Sequence, residues 1–153
     1  MAGLTQAMCT SFKTELLTGT HNFTNTTGNV FKIALFRATA SLVGTYGAAT
    51  TNYSDMTGNS DEASGTGYTA GGNTLTNVTP TSSGNVAYVS FANTSWANAT
   101  ITANGALIYN NSKSNAAVAV LAFGGDKTST DGTFAINFPT ADASSAIIRL
   151  TAS

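Results

Sequence analysis

The chain has 153 residues, a net charge of −1 and only 8% charged side chains, against about 25% in an ordinary soluble domain. At this length one domain with its own core is expected. The basic residues Lys13, Lys32, Arg37, Lys113, Lys127 and Arg149 are scattered, and no apolar run reaches the ~18 residues of a membrane helix, so neither nucleic acid nor a membrane is expected as a partner.

The first residues carry a helical stripe. Leu4, Met8, Cys9, Phe12, Leu16 and Leu17 recur at helix spacing, with Gln6, Lys13 and Glu15 polar between them. The spacing predicts one short amphipathic helix within residues 1–20, with Thr5 as a cap and Gly19 as a stop. Its stripe must be buried on the chain's own sheet, on a neighbouring subunit or on a docking surface. Leu4, Met8, Phe12 and Leu16 are therefore candidate assembly contacts. Cys9, the single cysteine, reads as a small buried apolar residue; the alternative is an interchain disulfide. The segment lacks the basic and apolar regions of a secretory signal, so a chain made and kept in a cytoplasm until it is assembled or released is expected.

From residue 30 the period changes to two. Phe31, Ile33 and Leu35 alternate with Lys32, Ala34 and Phe36, and Val89 and Phe91 alternate with Tyr88 and Ser90. Leu107 and Tyr109 flank Ile108. Ala117–Phe123 is a continuous apolar run, as in a strand buried on both faces. Gly124-Gly125-Asp126 to Asp131-Gly132 reads as a hairpin connection leading to Phe134, Ile136 and Phe138. Ala146, Ile148 and Leu150 form a last strand. Residues 38–84 are rich in Gly, Thr, Ser and Asn. A structureless loop that long does not suit a compact domain, so one or two irregular strands and a contact surface are expected there. Strands without helices between them predict an all-β fold. The expected form is a jelly-roll-like β-sandwich over residues 21–153, preceded by an N-terminal arm or helix over residues 1–20.

Catalytic chemistry finds little to build on. A triad needs a base and an orienter beside a nucleophile; the one histidine, His21, reads as a polar loop residue. The acids are Glu15, Asp55, Asp61, Glu62, Asp126, Asp131 and Asp142. Asp61 and Glu62 are adjacent, so in an extended chain they face opposite ways. No carboxylate pair suggests a glycosidase. Asp126, Thr128, Thr130 and Asp131 could form a weak calcium loop, although a solvated turn accounts for them as well. No cofactor is implied. Asn22, Asn25, Asn52, Asn77, Asn93, Asn98 and Asn110 begin glycosylation triplets, a mild excess for a chain so rich in Asn, Ser and Thr. Tyr46, Tyr53, Tyr68 and Trp96 are the candidate aromatic surface. They would stack on sugar rings or pack in a core or interface.

A more specific pattern runs through the chain. Gly65-Thr66-Gly67-Tyr68-Thr69-Ala70-Gly71-Gly72 is followed by Phe91, Trp96, Ala99-Thr100-Ile101-Thr102-Ala103 and Gly105-Ala106-Leu107-Ile108-Tyr109-Asn110. Ala117–Phe123, Gly124-Gly125-Asp126 and Gly132-Thr133-Phe134 complete it, and Phe31–Phe36 precedes it. Over roughly residues 30–150 this order of motifs resembles structural proteins of tailed-bacteriophage virions, most like capsid decoration (cement) proteins. The resemblance implies a non-enzymatic protein of the capsid surface, with the major capsid protein and itself, as a homotrimer, for partners. It implies no catalytic residue. The low charge agrees with assembly, because weak repulsion favours association. Two other readings stay open: a tail, collar or fibre component that binds a host-surface glycan, and a carbohydrate-binding module.

Overall fold

The computed structural model describes residues 2–152. In chain order it contains β1 (Gly3–Leu4), β2 (Ala7–Met8), α1 (Thr10–Leu17), β3 (Phe31–Arg37), β4 (Thr45–Tyr46), α2 (Tyr53–Gly58), β5 (Asn73–Thr74), β6 (Asn77–Ser83), β7 (Val86–Phe91), β8 (Thr94–Asn110), β9 (Ala116–Ile136) and β10 (Ile148–Thr151). The fold is all-β. A five-stranded sheet has the order β2-β9-β8-β3-β5, a three-stranded sheet the order β10-β7-β6, and β1 pairs with β4. Every pairing in the two larger sheets is antiparallel; β1 and β4 run parallel.

β8 and β9 form the axis. Their ladder runs from Thr94↔Ile136 to Asn110↔Ala116. The turn between them is closed by Ser114 and Asn115, both at positive φ (51° and 61°), a conformation that Asn tolerates better than most residues. At this end of the ladder Leu107, Ile108, Val118 and Val120 are fully buried. On β3, Phe31 stacks on Phe23 at 4.3 Å and meets Phe91 of β7 at 5.7 Å. The neighbouring strand positions face the other way, and Phe36 lies 4.5 Å from Tyr46. The central strands are thus covered on both faces, one by α1 and the three-stranded sheet, the other by residues from 42 to 72.

The expected hairpin at 124–132 is not there. β9 continues through it as one strand of 21 residues. Gly124, Gly125 and Asp131 do have positive φ, at 72°, 131° and 47°, but they bulge the strand rather than reverse it. Between the pairs Gly105↔Ala122 and Ala103↔Lys127, β8 advances two residues while β9 advances five. The excess loops outward and pairing resumes with the same partner.

The N-terminal stripe is also divided differently. Only Thr10–Leu17 is helical. Leu4 lies in β1, opposite Tyr46, and Met8 lies in β2, opposite Ala119. A short isolated helix is marginal, whereas the edges of β4 and β9 give these residues a backbone partner. Thr5 is no cap; Cys9 occupies the N-cap position without a side-chain bond. Gly19 does end the helix, at φ 71°, with its N–H on the Leu16 carbonyl. Leu4, Met8 and Leu16 pack half-buried against the core and Phe12 is wholly inside. The four expected assembly contacts therefore serve the chain's own interior.

The region 38–84 holds β4, β5 and β6 and an unforeseen helix, α2. Its start is a capping box: Asn52 Oδ1 accepts from Ser54 N at 3.0 Å, and Asp55 Oδ2 accepts from Asn52 N at 3.2 Å.

The two faces of α1 make opposite demands. Phe12→Ala, at a position 0% exposed, is expected to cost about 3–5 kcal/mol. Leu17→Ser, at 90% exposed, should change stability by no more than about 0.5 kcal/mol. Urea unfolding of the two variants measures both; similar losses would mean that the helix is seated differently.

Candidate functional site

The most connected polar cluster is built on Asp61 and Glu62. Their segment lies against the edge of β3, with Arg37 N donating to the Asp61 carbonyl at 2.9 Å and Ala63 N to the Leu35 carbonyl at 2.8 Å. It is extended, so the two carboxylates face opposite ways. Asp61, 0% exposed, accepts from Val43 N (2.9 Å), Gly44 N (2.7 Å) and the Tyr46 hydroxyl (2.6 Å). Glu62 accepts from the hydroxyls of Tyr53 (2.5 Å) and Tyr68 (2.8 Å) and from Gly71 N (2.6 Å). The Tyr68 hydroxyl also accepts from Leu35 N at 3.0 Å. Tyr109, stacked on Tyr53 at 4.6 Å, donates to the Gly71 carbonyl at 2.7 Å. A buried anion is tolerated when several donors converge on it, and here those donors come from three separate stretches of chain, 43–46, 53 and 68–71.

Burial, and then the neighbouring carboxylate, holds the hydroxyls of Tyr46 and Tyr53 well above the usual tyrosine range. Burial dominates for Tyr68 as well. Burial and the Glu62 charge push Tyr109 up to about 12.

This cluster corrects the expected aromatic surface. Tyr46 and Trp96 are 3% and 5% exposed. Trp96 packs on Tyr68 at 5.7 Å and on Phe134 at 6.1 Å. Tyr53 and Tyr68 are half-buried with their hydroxyls on Glu62. The four do not share an open face, because a ring with a polar tip is best satisfied inside when an acceptor waits there. The Gly65–Gly72 motif belongs to the same construction. A Cβ on Gly72 would meet the Ile33 carbonyl oxygen at 1.8 Å, and one on Gly65 the Thr100 carbonyl oxygen at 2.1 Å. These glycines let the segment lie directly on β3 and β8.

His21 is not a loop residue on the surface. It is 8% exposed and sits 4.8 Å from the Phe12 ring. Asn110 Nδ2, which can only donate, lies 2.8 Å from His21 Nδ1, so the proton of the neutral ring is on Nε2 and is donated to Glu15 Oε2 at 2.6 Å. Both ring nitrogens are occupied, and neither faces a nucleophile. Asn110 and Asn77 are buried too, so the acceptor side chains of two of the glycosylation triplets lie inside the fold.

The expected calcium ligands do not converge. Asp126 accepts from Thr39 N and Oγ1 at 2.8 and 2.7 Å, bonds that hold its carboxyl below the usual range. Thr128 pairs with Thr102 at 2.9 Å, and Asp131 lies on Thr100. Among the described residues no group of three or more His, Cys, Asp and Glu could hold a metal ion. Cys9 is fully buried beside the Gly47 carbonyl, and its thiol is pushed up to about 11, chiefly by burial.

Open concavities mark the surface as well, two of them prominent among the described residues. A groove of about 590 Å³ follows β9 and is lined by Phe123, Phe134, Ile136, Phe138, Ile147 and Lys127 among others. A cleft of about 470 Å³ lies between the end of α1 and the strands β7 and β10, with Leu16, Phe23, Val89, Ile148 and Leu150 in its walls. No Asp or Glu lines either one. Among the described residues no helix is long and apolar enough to cross a membrane. Compared with protein-family models, curated proteins and solved structures, the chain matches none of them.

Sequence reasoning set Asp61 and Glu62 back to back but missed their tyrosine partners. The available signal was that adjacent acids in a chain with seven in total precede a glycine-rich stretch containing Tyr68.

Two outcomes follow from the burial of these groups. A disulfide reagent such as dithionitrobenzoate at pH 8 should leave Cys9 of the folded chain unmodified and titrate one thiol per chain after denaturation; prompt reaction of the folded chain would contradict the burial. Tyr109 has a folded value of about 12 against an ordinary 10, so the unfolded chain loses its proton first. The stability due to its neutral form is complete below pH 10 and is lost as the pH rises through 12. Denaturant midpoints measured between pH 8 and 12 should fall only above 10, and a flat profile would contradict the burial of the tyrosines.

Proposed function

We propose that the chain is a non-enzymatic structural protein of a tailed-phage virion, a decoration protein that stabilises the capsid by burying surface between capsomers. In this reading the two larger sheets are the layers of a jelly-roll-like sandwich. Its partners are the major capsid protein and two further copies of itself.

The observation that carries the proposal is the use made of the acids. Glu15, Asp55, Asp61, Glu62, Asp126 and Asp142 all accept hydrogen bonds from the chain itself, and none lines the β9 groove or the α1 cleft. Most of the acids are engaged in this way, and Thr, Ser, Asn and Gly make up much of the exterior. Strand β6, for example, is exposed at every position from Val78 to Ser83. Such a surface has little charge to strip of water when it is covered, and many equivalent sites on a shell add their modest individual gains. The resemblance of residues 30–150 to phage structural proteins points the same way. A glycan-binding fibre or module would need an open aromatic platform, and Tyr46 and Trp96 lie inside. Because Leu4, Met8, Phe12 and Leu16 are engaged internally, the surface offered to the shell includes exposed apolar residues such as Leu17, Val43 and Leu150.

Light scattering on the purified chain, with its copy number in purified virions by quantitative mass spectrometry, tests the proposal. A trimer present at capsomer-scale copy number is expected. A few copies per particle would move it to the collar or tail, and a monomer absent from virions would overturn the structural role.

A further inference from the structure

The groove along β9 has the character of a small-ligand site. Its volume of about 590 Å³ falls in the range of roughly 300–1,000 Å³ typical of such sites, and so does its make-up of apolar walls with few polar groups. Phe134 and Ile136, both buried, form its floor, and the half-buried Phe123, Phe138 and Ile147 its walls. The rings are held: Phe134 lies 6.3 Å from Phe123 and 6.1 Å from Trp96, and Phe138 lies 5.6 Å from Phe91. Gln6, Thr128, Thr133 and Asn137 add exposed polar groups along its rim, with Ser129 half-buried.

The groove carries one charge, that of Lys127. Lys127 is exposed, and among the described residues no carboxylate lies within ion-pair distance of it. Its sequence neighbour Asp126 is turned to Thr39. An apolar trough with an unpaired cation is complementary to a molecule with an apolar body and an anionic end.

We propose that this groove binds a small amphiphile with one anionic group, of the fatty-acid kind, its apolar body against Phe123, Phe134 and Phe138 and its head group at Lys127. An added peptide strand suits the site less well. The edge of β9 that would pair with it is broken by the bulge between Ala122 and Lys127, and such bulges interrupt the ladder that an incoming strand needs. The proposal is independent of the capsid role, since its test involves no virion.

Calorimetric titration of the whole purified chain with decanoate, and with uncharged 1-decanol for comparison, tests it, with Trp96 emission as a second readout through its contact with Phe134. Saturable binding of one decanoate per chain is expected. Lys127→Ala should weaken decanoate roughly threefold, as for one exposed charge pair, and leave decanol unchanged. Phe123→Ala should weaken both about tenfold through lost apolar contact. Absence of saturable binding, or affinities indifferent to both substitutions, would overturn the proposal. So would a change of oligomeric mass in Phe123→Ala on light scattering, which would assign the groove to a second copy of the chain.

Discussion

The pairing of β8 with β9 is the interaction on which the other elements depend. The two strands, of 17 and 21 residues, are joined by a short turn, so the entropy lost in closing them is small. Their outer edges then receive strands from far away in sequence: β3 along the Ala103–Asn110 part of β8, and β2 at Ala119 and Val120. Beyond β3, the rest of β8 is lined by the glycine-rich segment and the start of β5, with Thr100 N on the Thr66 carbonyl and the Asn73 amide on the Ser95 carbonyl. Removing this ladder would leave β3, β2 and the glycine-rich segment with nothing to lie against.

Scarcity of charge gives the remaining acids an unusual weight. Asp61 and Glu62 each gather three donors, drawn from β4, from α2 and from the loops around them. Removing a donor from anions held in this way is costly, so the two carboxylates tie the region from 43 to 71 together. The same economy leaves an exterior of hydroxyls and amides. On such a surface little repulsion opposes association, and this is how the internal chemistry of the acids bears on the proposed role in assembly.

Much of the fold was legible in the sequence. The alternation in Phe31–Phe36 and Tyr88–Phe91 reported β3 and β7, the apolar run from Ala117 reported the first part of β9, and Gly19 marked the end of α1. Other signals were ambiguous by nature. Leu4 and Met8 fit a helical stripe, yet they also fit strand positions once an edge is available. Gly124, Gly125 and Asp131 permit a turn and a bulge equally, because each requires only positive φ. Helix α2 was carried by Asn52 and Asp55 rather than by periodicity, and it is too short for a stripe to show. Tyr46, Tyr53, Tyr68 and Trp96 were identified as a group; whether they faced water or protein depended on where Asp61, Glu62 and Phe134 lay.

The sequence by itself determined that this is an all-β chain of low charge, because a strand's side chains alternate whatever its neighbour is and composition does not depend on the fold. It also determined that Asp61 and Glu62 would oppose one another. Only the tertiary structure decided that Leu4 and Met8 become strand, that β9 continues past its glycines, that His21 is buried between Glu15 and Asn110, and that the tyrosines close on Glu62. Each of these turns on a partner distant in the chain. A local pattern records which side of an element is apolar and what conformations its residues allow. It does not record which distant edge, ring or carboxylate will meet them.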